Sequence, residues 1–152
     1  MISHIIQPNF IKDKNMFKPN NLSIIIYILS KYLFFYIFMM FKNDNYALIS
    51  LGNLENFQDI FYFLFIFLLL PITNIIFLSL PIYYSFKVKN LYYFLIIIFL
   101  ILAVEYTLYT YMASQSNLLN GIYNGILSLF FLFLFFSRSI FEISKKNNLS
   151  DI

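Results

Sequence analysis

Lys31 and Glu105 could do chemistry that their surroundings would normally forbid, because each lies deep inside a run of apolar residues. A charged group at the middle of a bilayer costs on the order of 2.5–3.5 kcal/mol on insertion scales, so something should offset it. Lys31 is about 13–14 Å from one edge of its run, and Glu105 roughly 21 Å from the same edge of its own, at ~1.5 Å per residue. The offset of about 7 Å is close to the reach of an extended lysine side chain, so an ion pair between helices is geometrically open. The competing structural readings are that Lys31 snorkels along its flexible stem and that Glu105 reaches headgroups or water. The functional reading is movement of an ion, a proton or a polar substrate through the membrane. One ammonium and one carboxylate make a thin relay, so the structural readings, a buried pair or snorkelling, are preferred together.

Asn74 is the third intramembrane polar candidate. It lies about 9 Å from the same edge, close to the depth of Lys31. It could accept a hydrogen bond from the lysine, cover backbone freed by Pro71, or join two helices as interhelical glue worth roughly 0.6–2 kcal/mol. The last reading is favoured. The fourth apolar run opens with Asn117, Asn120 and Asn124 on one helical face and with Gly121, Gly125 and Ser128 on an adjacent face. Gly121 and Gly125 have G-x-x-x-G spacing, which lets two helix backbones approach closely. A lone motif of this kind is weak. It is expected to serve a neighbouring helix of the same chain first and a partner second. If the third and fourth helices pack, Glu105, Tyr109, Asn124 and Ser128 form one polar cluster.

Catalytic signatures are absent. The chain has no G-x-S-x-G, H-E-x-x-H, Walker or dinucleotide motif. It has no cysteine and a single histidine, His4, so thiolate metal sites and two-histidine sites cannot form within it. No enzyme activity, cofactor, metal or nucleic-acid partner is expected. Asp44, Glu55 and Asp59 read as a solvated acidic loop.

The elements that must position these residues follow from composition. The 152 residues are 61% hydrophobic and 11% charged, against ~45–50% apolar and ~25% charged in soluble domains. That balance excludes a soluble fold, a disordered chain and a disulfide scaffold, and the length allows one domain. The 21 Phe and 13 Tyr carry little functional weight, because their codons are A/T-rich.

Four apolar runs stand at about 22–41, 60–84, 91–111 and 121–143. Each matches the ~20 residues needed to cross a ~30 Å hydrocarbon core. Each must be a helix, since a lone strand would leave backbone groups unpaired in lipid. The runs are apolar on every side and lack the alternation of barrel strands. The first starts late and lacks a small-residue cleavage site, so it reads as a retained helix. Pro71 should kink the second, which ends either near Leu80 or beyond Pro81.

With four spans, Lys12, Lys14, Lys18, Lys87, Lys89, Arg138, Lys145 and Lys146 share one side. That is 8 of the 10 basic residues. Lys42 alone takes the other side, and Lys31 is inside. The positive-inside rule then puts both termini on the cytoplasmic side of a plasma or inner membrane. The expectation is an all-α, polytopic, four-span protein. It is expected to be non-enzymatic: an accessory, scaffold or assembly subunit that meets the lipid bilayer and other membrane-protein subunits. The alternative is a small oligomeric transporter or channel subunit using Glu105 and Lys31.

Overall fold

The computed structural model describes residues 18–44 and 56–149. His4, Lys12, Lys14 and Glu55 lie outside them, as do the side chains of Asp59 and Lys146. Four helices follow in order: α1 Asn21–Asn43, α2 Phe57–Ser85, α3 Leu91–Ala113 and α4 Leu118–Leu149. No strand occurs among the described residues, and all four helices are long and apolar enough to span a membrane. At 23 residues each, α1 and α3 are about 34 Å long by the ~1.5 Å rise, close to the bilayer core.

Polar caps make the helices slightly longer than the apolar runs. Asn20 and Ser23 form a capping box at the start of α1. The Ser23 N–H donates to Asn20 Oδ1 at 2.7 Å, and the Asn20 N–H donates to Ser23 Oγ at 3.0 Å. Asn90 Oδ1 accepts from the Tyr92 N–H at 2.8 Å to start α3. Asn117 Oδ1 accepts from the Leu119 N–H at 3.1 Å, which starts α4 before Gly121. Asp44, in the left-handed region at φ 48°, closes α1 through its N–H to the Met40 carbonyl.

Helix α2 passes through both prolines and ends at Ser85, so Pro81 lies inside it. Proline has no N–H, so Pro71 leaves the carbonyl of Phe67, four residues back, without its helical donor. The Tyr36 hydroxyl of α1 donates to that carbonyl at 3.0 Å. Helix α4 is interrupted at Phe136, whose φ of −121° and ψ of 18° mark a kink. Beyond the kink, Arg138 and Glu142 form an exposed pair at 3.5 Å, a contact that contributes little.

Each helix packs on the next, and α1 also packs on α4. The result is a closed up-and-down ring in which α1 and α3 occupy opposite corners. The outer surface is apolar, unlike that of a soluble bundle, and a few polar residues sit inside a largely apolar core. Ile76 and Phe99 are 65% and 71% exposed on the outer surface, whereas Lys31 and Glu105 are 1% and 4% exposed within the core. Ile24, Ile28, Phe35, Phe94, Ile98 and Phe136 fill the rest of that core. Phe35 meets Tyr109 edge-to-face at 5.2 Å between centroids, the arrangement ring quadrupoles favour.

Candidate functional site

The ring topology points Lys31 and Glu105 at the bundle axis from opposite corners. Lys31 sits on the face of α1 that carries Ile24, Tyr27, Ile28 and Phe35, all buried. Glu105 shares its face of α3 with Phe94, Ile98, Ile101 and Tyr109. Both follow the three- and four-residue spacing that puts side chains on one side of a helix. The Lys31 ammonium donates to Glu105 Oε1, so the two residues pair directly across the diagonal. The ammonium also lies 3.8 Å from the centroid of the Tyr32 ring, where the negative face of the ring attracts a cation.

Helix α4 completes the carboxylate's shell. Ser128 Oγ donates to Glu105 Oε2 at 2.6 Å, and Asn124 Nδ2 donates to Oε1 at 3.4 Å. Both residues are fully buried. The Tyr27 hydroxyl of α1 donates to the backbone carbonyl of Ser128 at 3.1 Å, which holds α4 at that height. Three helices thus meet at one carboxylate. Removing two charges from water is costly, and their attraction offsets this only when the remaining lone pairs are also satisfied. Donors from Lys31, Asn124 and Ser128 supply that satisfaction to both oxygens.

The other sequence candidates are distributed differently. Asn74 is buried, but its Nδ2 donates to the Leu70 carbonyl of its own helix at 2.9 Å. It therefore turns back onto its own helix, at a carbonyl other than the one Pro71 frees, and does not join two helices as the sequence favoured. Its Oδ1 is buried with no hydrogen-bond partner, as are the Tyr32 hydroxyl and Asn124 Oδ1. Gly121 packs within the chain. A Cβ there would stand 2.6 Å from Tyr106 Cε2 and 3.0 Å from Thr110 Oγ1, so only glycine lets α4 approach α3 this closely. A Cβ at Gly125 would meet nothing within 4 Å, so no close approach within this chain requires the second glycine. Ser128, read from sequence both as a small packing residue and as a member of a cluster with Glu105, Tyr109 and Asn124, donates to the carboxylate, as Asn124 does. Tyr109 lies in the core against Phe35 rather than on Glu105.

Sequence reasoning missed Tyr27 and Tyr36, whose hydroxyls cap carbonyls on neighbouring helices. The signal for Tyr36 was Pro71, which announces an orphan acceptor without saying which helix supplies the donor. Lys42 was also missed. Its ammonium donates to Asn120 Oδ1 at 3.0 Å and lies 4.2 Å from the Tyr123 centroid, tying the end of α1 to the start of α4.

The cluster can hold charge, orient a carboxylate and lock three helices together. Among the described residues, no group of histidine, cysteine and carboxylate side chains could hold a metal ion. Set against known protein families, curated proteins and solved structures, the chain matches none.

Proposed function

We propose that this chain is a non-enzymatic subunit, a scaffold or assembly protein of a larger complex in a plasma or inner membrane, with both termini cytoplasmic. The observation that carries the reading is the closure of the core around Lys31 and Glu105. Their exposures of 1% and 4%, with donors on both carboxylate oxygens, suit a lock better than a site that must admit a substrate. The open space beside Gly125 on the outer part of α4 supports a docking role, since small residues let a second helix come close. Charge asymmetry supports the orientation. Lys18, Lys87, Lys89, Arg138 and Lys145 stand at the end where α1 and α3 begin, and Lys42 stands at the other.

The test is a mild-detergent pull-down of the full chain with identification of what co-purifies. A stoichiometric membrane protein that is lost in Gly125→Leu is the expected result. A chain that purifies alone and unchanged in both forms overturns the reading.

One observation favours transport as the second reading. The Tyr32 hydroxyl, Asn74 Oδ1 and Asn124 Oδ1 are buried polar atoms without partners, as the wall of a wet path would be. The chain has no cysteine, so Asn74→Cys and Asn124→Cys each give a unique thiol. A dry core leaves both inert to a membrane-impermeant thiol reagent. Labelling of both from the water phase would instead support a path through the bundle.

A further inference from the structure

We propose that the groove between the start of α1 and the end of α2 binds the headgroup of an anionic phospholipid. The groove has a volume of about 510 Å³ and is lined by Asn20, Asn21, Leu22, Leu80, Tyr83 and Tyr84. Its lining is graded. The two asparagine amides and the two phenols are donors suited to phosphate oxygens. Leu22 and Leu80, 66% and 57% exposed, continue into the apolar flanks of α1 and α2. A ligand that fits both parts has a polar anionic head and an apolar tail.

Charge selects an anionic head over a zwitterionic one. The Lys87 ammonium lies 4.8 Å from the centroid of the Tyr83 ring, which places a cation at the rim. Ser23 Oγ donates to the Lys18 carbonyl at 2.8 Å, which holds exposed Lys18 beside the first turn of α1. Among the described residues, the one carboxylate at this end of the bundle is Glu142 on α4, and it is paired with Arg138. The groove therefore offers neutral donors in its lining and a cation against its Tyr83 wall, with no described carboxylate among its lining residues. The leucine walls argue for a lipid over a free anion, because a soluble phosphate gains nothing from them.

The chain contains no tryptophan, so Leu22→Trp gives a single reporter within the groove. Tyr92→Trp, at the start of α3, gives one at the same end of the bundle but at another corner. The full chain is reconstituted in phosphatidylcholine vesicles carrying brominated phosphatidylglycerol or brominated phosphatidylcholine. The expected result at Leu22→Trp is preferential quenching by the anionic lipid of roughly five-fold to thirty-fold, the attraction of one to two lysines. Preference at Tyr92→Trp should be clearly weaker. Adding Lys18→Gln and Lys87→Gln should bring the Leu22→Trp preference close to unity with the helical content unchanged. Native mass spectrometry of the unsubstituted chain should retain phosphatidylglycerol, and the double glutamine variant should lose it. Equal quenching by both lipids at Leu22→Trp overturns the proposal. Equal anionic preference at the two corners also overturns it, since that describes diffuse surface charge. Loss of the preference on adding inorganic phosphate at constant ionic strength overturns it in favour of a soluble anion.

Discussion

At the scale of single residues, the molecule is governed by what its buried polar groups do with one another. Lys31 and Glu105 neutralise each other, and Asn124 and Ser128 take up the remaining capacity of the carboxylate. Removing one partner leaves the other charge buried and alone. Lys31→Leu or Glu105→Leu should each lower stability by roughly 3–5 kcal/mol, read by circular dichroism during denaturation in mixed micelles. The double leucine variant should recover most of that loss, because a lock replaced by apolar packing leaves no uncompensated charge. Exchange of the pair, Lys31→Glu with Glu105→Lys, should also recover stability, since the unpartnered Asn124 Oδ1 can accept from a lysine at position 105. Losses that simply add would contradict a pair. A second coupling belongs to Tyr36 and Pro71. Tyr36→Phe should cost about 0.5–1.5 kcal/mol by orphaning the Phe67 carbonyl. Pro71→Ala should abolish that cost, since alanine returns a helical N–H to the same acceptor. A cost unchanged by Pro71→Ala would detach the two residues.

At the scale of elements, the helices differ in what they ask of their neighbours. Helix α4 faces the carboxylate with Asn124 and Ser128, faces α3 with Gly121 and leaves Gly125 open. The two glycines of one spacing therefore predict opposite outcomes. Gly121→Leu drives a side chain into the Tyr106 ring and should destabilise the bundle by roughly 1–3 kcal/mol, the usual cost of overpacking. Gly125→Leu meets open space and gains helix propensity, so the melting of the isolated chain should be unchanged or raised by up to about 1 kcal/mol, with loss confined to the capture of a partner. Thermal scans in detergent separate the two. Comparable destabilisation by both would mean that Gly125 also packs inside the chain. The apolar runs located all four helices but not their ends, which polar caps such as Asn20, Asn90 and Asn117 set beyond the runs. The course of α2 past Pro81 was not legible either, since a proline near a helix end is compatible with both stopping and continuing.

At the scale of the whole molecule, four antiparallel spans close into a ring that is apolar outside and holds a polar cluster within a largely apolar core. The distribution of basic residues between the two ends is a property of the entire chain, and it drives the proposed orientation. A reporter enzyme fused after Ile152 should be active on the cytoplasmic side. Activity confined to the opposite side would reverse the topology. Lys87→Gln combined with Lys89→Gln should move part of that reporter activity to the opposite side, because those lysines stand in the one short loop on the basic side.

The sequence by itself determined the solvent, the number of spans, the helical state of each and the end on which cations gather. These depend on hydrophobic run length, on backbone satisfaction in lipid and on charge counts, all of which are local or additive along the chain. It also singled out Lys31 and Glu105, because an ion in an apolar run is anomalous wherever the run is placed. Only the tertiary structure decided that the two meet, that Tyr109 stands apart from the Glu105, Asn124 and Ser128 cluster the sequence suggested, that Asn74 turns back to its own helix and that Gly121 and Gly125 part company. Those outcomes depend on which faces of four helices turn inward and at what relative height. Helices that are apolar all round carry almost no periodic signal to fix that rotation. The few polar groups fix it instead, and their choice of partner appears only when all four helices are in place.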